Sequence, residues 1–144
     1  MNDTMTLSLV QGDGAFEVPG SLTQSTVFYF MRAASCAQCN RHTRELDAMQ
    51  SELQKHAMEA VVVIPEDITA GEKLKKRNNL TIPVMSGHGT AHALAGLDKK
   101  FLGLIQQSGT VVVDVTGKVL YKRIATNPEE SFKKKEFQQY LDTL

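Results

Sequence analysis

Cys36 and Cys39 are the only two cysteines in a chain of 144 residues, and they stand three positions apart. A bridge that closes so short a loop takes little freedom from the unfolded chain, so structural stapling is a poor explanation for the pair. Secreted disulfide scaffolds carry several cysteines at wide spacings. The pair therefore points to thiol chemistry or to metal binding.

In thiol redox chemistry the attacking species is the thiolate. Ser35-Cys36-Ala37-Gln38 has the form of a capping box, with Ser35 as the cap and Gln38 three residues later. Unpaired N–H groups and the dipole at a helix start favour an anion, and such positions lower a cysteine pKa from about 8.5 into the range of about 3.5–7.5. Cys36 is expected at the first helical position and Cys39 one turn in. Helical side chains lean toward the N-terminus, which puts the two sulfurs within disulfide reach. Either thiol can attack while the other resolves the intermediate.

His42 lies three residues after Cys39 on the same stripe. A protonated imidazole there would favour the Cys39 thiolate, a neutral one could shuttle a proton, and a plain hydrogen-bonded helical histidine fits as well. Cys36, Cys39 and His42 could together offer three metal ligands. Structural zinc sites draw four ligands from two separated segments, and no second cysteine pair exists. Neither a metal nor an organic cofactor is expected, although zinc binding or non-enzymatic redox sensing stays as a third hypothesis. His88 and His92 read as surface residues of a polar loop.

These side chains need a frame. Thr6–Val10 and Phe16–Pro19 around Gln11-Gly12-Asp13-Gly14 read as an N-terminal hairpin. Thr26–Met31 and Ala60–Ile64 are short apolar runs of the kind found in strands covered on both faces. Between them Cys39, His42, Leu46, Met49 and Leu53 recur at helical spacing, predicting a helix over 36–57. Thr69-Ala70-Gly71-Glu72 offers a second capping box for a polar helix through Arg77. Its cluster of Lys73, Lys75, Lys76 and Arg77 reads as a solvated face. Ile82–Met85 is a short strand and Ala91–Leu97 a short helix. Thr110–Val115 and Lys118–Ile124 form a hairpin through Thr116-Gly117. Asn127-Pro128-Glu129-Glu130 is expected to cap the last helix. Parallel strands joined by helices, then a hairpin and a helix, make a three-layer α/β/α sandwich with a mixed central sheet. One domain over residues 1–144 is expected, with the cysteines at the carboxyl edge of the sheet, where ligands bind.

Lys plus Arg and Asp plus Glu both total 16, so the net charge is zero and nothing favours nucleic acid or an anionic membrane as partner. No apolar run approaches the roughly 20 residues of a membrane span, and residues 1–6 lack the pattern of a signal peptide. A cytoplasmic protein is expected.

Val27-Phe28-Tyr29-Phe30-Met31-Arg32, Cys36-Ala37-Gln38-Cys39, Arg44-Glu45-Leu46, Val61–Asp67, Leu80–Ser86 and Val111–Lys118 occur in the order and spacing that resemble the peroxiredoxin (AhpC/TSA, redoxin) branch of the thioredoxin superfamily. The resemblance implies a thioredoxin fold and an antioxidant thiol peroxidase. In that pattern a threonine stands at the place of Cys36 and the peroxide-attacking cysteine at Cys39, whereas thioredoxin-like reductases attack from the Cys36 position. The family's arginine before the late strand corresponds to Ser108, which leaves Arg32 or Arg123 as substitutes, and its aspartate after Ser86 corresponds to Gly87. The expectation is a peroxidase attacking from Cys39, with a thiol–disulfide oxidoreductase attacking from Cys36 as the alternative. The substrate would be a peroxide or a disulfide. The electron donor would be thioredoxin-like or a low-molecular-weight thiol, and a homodimer is compatible with the resemblance.

Overall fold

The computed structural model describes residues 3–144. The strands are β1 (Leu7–Gln11), β2 (Gly14–Val18), β3 (Ser25–Phe30), β4 (Met58–Ile64), β5 (Val84–Ser86), β6 (Lys99–Lys100), β7 (Ile105–Gln106), β8 (Ser108–Val113) and β9 (Val119–Ala125). The helices are α1 (Ala37–Asp47), α2 (Gln50–Lys55), α3 (Ile68–Arg77), α4 (Ala91–Leu94) and α5 (Lys134–Asp142). Seven strands form one sheet in the order β2-β1-β5-β4-β3-β8-β9. β3, β4 and β5 run parallel, and β8 returns antiparallel beside β3. The result is a mixed α/β sheet of the thioredoxin type.

β3 and β4 are central because both faces of each are covered. Val27, Tyr29, Met31, Val62 and Ile64 pack with Leu46, Leu53, Leu74, Phe137 and Leu141 on the face carrying α1, α2, α3 and α5. Phe28, Phe30, Val61 and Val63 pack with Leu7, Met85, Ala91 and Leu97 on the other face, under α4. The alternation of strand side chains thus feeds two cores from one apolar run.

Beyond shifts of a few residues at strand ends and a shorter α4, three boundaries differ from the sequence reading in ways that bear on the site. The single helix expected over 36–57 is two, because at Met49 the backbone N–H turns to Leu46 O at 3.0 Å, an i→i−3 bond that tightens the chain. The Asp47 carboxylate at that point accepts the N–H groups of Thr81 and Ile82, both at 2.9 Å, and so ties the α1 end to the loop before β5. α3 is capped by Asp67, which accepts from Thr69 N at 3.0 Å, not by Thr69. Asn127 caps a 3-10 turn over Pro128–Ser131 and not the last helix, which begins only at Lys134 after extended residues. The turn brings Ser131 to Tyr29.

Candidate active site

The chain leaves β3 at Phe30, and Met31 N–H still bonds Val63 O at 2.9 Å. A short loop then delivers Cys36 to the head of α1. Cys36 itself is the N-cap, with extended backbone at φ −69° and ψ 114°, and its Sγ accepts the Cys39 N–H at 3.3 Å. Ser35, expected in that role, is exposed one residue outside the helix, and Gln38 turns away to donate to Glu129 at 2.9 Å. The register moves by one because a sulfur, rather than a hydroxyl, takes the free amide. Cys36 keeps 4 % of its surface exposed and Cys39 none. Both are free thiols.

Asn40 secures this cap. Its Nδ2 donates to Ala34 O at 2.9 Å and Cys36 O at 2.7 Å, while its Oδ1 accepts from Arg77 at 3.2 Å. From the end of β4 the Glu66 carboxylate accepts the Ala34 N–H at 3.1 Å and 3.2 Å. The Ser86 hydroxyl donates to Glu66 O and its oxygen accepts the His88 N–H at 3.1 Å. The cap loop is therefore held from three directions. Gly87, which stands where the family has aspartate, has no room for a side chain, since a Cβ there would lie 2.5 Å from Ala91 Cβ. Gly87→Ala is accordingly expected to cost about 1–3 kcal/mol, seen as a lower urea midpoint with an unchanged slope.

Cys39 faces inward. Burial, and then a hydrogen bond with Cys36, push its thiol up to about 11; the neighbouring Arg32 backbone and Tyr29 hydroxyl, which can each donate to a thiolate, oppose this. Tyr29 is also held protonated, first by burial and then by the nearby Cys39. Its hydroxyl meets His42 Nδ1 at 2.8 Å and Ser131 Oγ at 2.9 Å. Ser131 directs its one hydroxyl hydrogen to Pro128 O at 2.6 Å. It must therefore accept from Tyr29, and the Tyr29 oxygen must accept from Nδ1–H of a neutral His42. Burial, and then Arg41, lower the His42 pKa to about 4, so the ring is uncharged at neutral pH. Near neutral pH His42 is thus the uncharged, hydrogen-bonded partner of Tyr29, the plain helical histidine among the roles considered.

Tyr29→Phe removes the group that serves both His42 and Ser131. It should destabilise the fold by about 1–3 kcal/mol in urea titrations and slow closure of the Cys36–Cys39 disulfide in quenched-flow traces. Equal closure rates in the variant and the wild type would remove Tyr29 from the site.

The two arginines separate. Arg32 is half-buried in the loop, and its backbone, not its guanidinium, is what favours the Cys39 thiolate. Arg123, on β9, bonds Glu136 at 2.6 Å and Glu130 at 3.3 Å, so carboxylates and not thiols engage its guanidinium. Ser108, in the place of the family's arginine, is buried with its hydroxyl unpartnered. His92 was expected at the surface but is fully buried, with Nε2 donating to Met31 O at 2.7 Å. His88 is exposed as expected. Among the described residues no group of three or more His, Cys, Asp or Glu is placed to hold a metal ion, and no helix is long and apolar enough to cross a membrane.

A thioredoxin-type sheet with a reduced cysteine pair at the head of the helix after its central strand defines a thiol-dependent redox protein. The AhpC/TSA family pattern matches residues 11–122, and the chain belongs to that family. Among solved structures it is similar to the peroxidoxin BcpB of Mycobacterium tuberculosis, with 19 % identity, 99 % of this chain and 94 % of that one covered, and a TM-score of 0.78. A peroxiredoxin-like protein from Aquifex aeolicus gives 15 % identity, coverage of 99 % and 85 %, and a TM-score of 0.79. A putative thiol:disulfide interchange protein DsbE from Chlorobium tepidum gives 18 % identity, coverage of 97 % and 96 %, and a TM-score of 0.71. At these identities the likeness carries the fold. No curated protein matches the chain.

Proposed function

We propose that the protein is a thiol–disulfide oxidoreductase in which Cys36 attacks and Cys39 resolves. One contrast carries this reading: Cys36 caps the helix and faces a backbone donor, whereas Cys39 lies one turn inside with its thiol pushed up to about 11. A backbone N–H on Sγ stabilises developing negative charge where attack begins. The Cys36 thiolate forms a bond to one sulfur of a substrate disulfide, and the other substrate sulfur leaves as a thiolate. Cys39 then loses its proton and attacks Cys36 Sγ, and the second substrate thiolate is expelled. The substrate gains two electrons and two protons, and the protein is left with the Cys36–Cys39 disulfide. A thioredoxin-like dithiol or a low-molecular-weight thiol would restore it. Tyr29 serves the second step, since its hydroxyl can turn toward the Cys39 sulfur as charge develops there.

The peroxidase reading has support in the AhpC/TSA match. It would have the Cys39 thiolate attack a peroxide O–O bond, become sulfenic acid, and condense with Cys36 to release water. The place of Cys39 one turn inside the helix, with its thiol pushed up to about 11, and the engagement of Arg123 elsewhere count against it. The two are separated by mixing fully reduced protein with either a protein disulfide or hydrogen peroxide and following loss of both thiols against free cysteine. The proposal expects acceleration of orders of magnitude with the disulfide and near-reference rates with peroxide. The reverse ranking would establish the peroxidase.

A further inference from the structure

Beside the cysteine loop lies an open groove of about 670 Å³, lined by Ala34, Ala37, Asn40, Ala70 and the cations Arg44, Lys73 and Arg77. Two segments build it. The loop and first turns of α1 give one wall, and α3 gives the other. Another cavity, of about 600 Å³, lies at the opposite end of the sheet around Gln24 and Met58, where no cysteine reaches it.

The groove's cations are not neutralised. Arg77 donates to Ala34 O at 3.0 Å and to Asn40 Oδ1, and Arg44 donates to Asn78 Oδ1 at 2.7 Å. Among the described residues none of the three takes part in an ion pair. Glu66, the carboxylate bonded to this loop, is engaged with the Ala34 amide. The opposite side of the α1 head carries Glu129, bonded to Gln38 and paired with Arg41 at 3.5 Å. In a chain of zero net charge, one flank of Cys36 is thus cationic with an apolar alanine floor, and the other holds a carboxylate. Guanidinium groups whose only partners are neutral acceptors are ready to take a carboxylate.

We infer that this groove receives a carboxylate of the incoming substrate, so that the favoured substrates are disulfides bearing a negative charge close to the reacting sulfur. This rests on Cys36 being the attacking thiol. Lys73 and its neighbours, which in sequence read as a solvated face, thereby become binding residues.

The first probe does not require disulfide exchange. Reduced protein is alkylated with iodoacetate or iodoacetamide at low ionic strength, and the rate ratio at Cys36 is normalised to free cysteine. Three unpaired cations in the groove beside the cysteine loop should raise the normalised ratio about ten-fold, and about 0.5 M salt should abolish the gain. Lys73→Gln with Arg44→Gln should bring the ratio to within about two-fold of free cysteine, while Lys118→Gln, on the turn at the far end of β8, should keep it. Arg77→Lys retains the charge and should retain most of the preference. A normalised ratio near one in the wild type, or one insensitive to the double variant, would overturn the inference.

The second probe compares dithiodipropionate, hydroxyethyl disulfide and cystamine, with a glutamate-flanked peptide disulfide as a further arm. The dianion should react fastest and cystamine slowest. Acceleration confined to the peptide would keep the carboxylate preference and identify its source as a protein. An equal rate for all charge types would count against the groove. If no disulfide reacts while the iodoacetate preference holds, the oxidoreductase reading fails and the anion-receiving groove stands.

Discussion

Cys36→Ser is expected to lower the rate constant for disulfide reduction by at least about a thousand-fold, because it removes the nucleophile itself. Cys39→Ser is expected to behave differently. Its first step should stay within about ten-fold of wild type, since Cys36 keeps its place at the helix cap. The mixed disulfide then has no internal thiol to resolve it, so the protein should accumulate as a stable adduct visible in intact-mass spectra. The asymmetry follows from position. One sulfur accepts a backbone N–H at the helix head, and the other is enclosed by Tyr29, Cys36 and the Arg32 peptide. Equal loss of the first step in both variants, or an adduct forming on Cys39 alone, would contradict it.

Acid lability is the second large effect. His42 and His92 are both buried and both lowered to about 4, chiefly by burial; Arg41 adds to the effect at His42 and Lys99 at His92. In the unfolded chain each would titrate near 6.5. Between these values the unfolded state binds protons that the folded state does not, so stability rises with pH. It is therefore lost as pH falls from about 6.5 toward 4, by about 1.4 kcal/mol per pH unit for each histidine. Urea unfolding of the wild type at pH 5 should show about 4 kcal/mol less stability than at pH 7 from the pair. His92→Gln, which keeps a donor for Met31 O, should lose about half as much over that interval. A flat profile across the window would show that the two rings are not held neutral.

Much of this was legible in the residues. Two apolar runs, a cysteine pair between them and a late hairpin were enough to place a three-layer α/β/α sandwich with the thiols at the carboxyl edge of its sheet, and the resemblance to a known family made it a thioredoxin-type sheet. The finer features depend on contacts across the chain. Asn40 lies outside the helical stripe of Cys39, His42, Leu46, Met49 and Leu53, and only folding brings Ala34 O and Cys36 O to its amide. Tyr29 sat unnoticed within an apolar strand run, although a buried tyrosine needs a partner for its hydroxyl. That partner, Ser131, arrives from 102 residues away on a turn that sequence reading assigned to the last helix. His92 looked like a loop residue because nothing local shows that α4 presses it against Phe30, with ring centroids 5.2 Å apart. The cap at Cys36 was missed by one residue because a hydroxyl nearby seemed the better acceptor. The two-residue strands β6 and β7 left no periodic signal.

The most direct test of the central claim is limited alkylation of the fully reduced native protein at pH 7 with substoichiometric iodoacetamide, followed by peptide mapping. The account predicts that the label falls on Cys36, and that Cys39 takes it only after unfolding or well above neutral pH. Preferential labelling of Cys39 in the native protein would contradict the account and return the attacking role to the position the family pattern gives its peroxide-reactive cysteine.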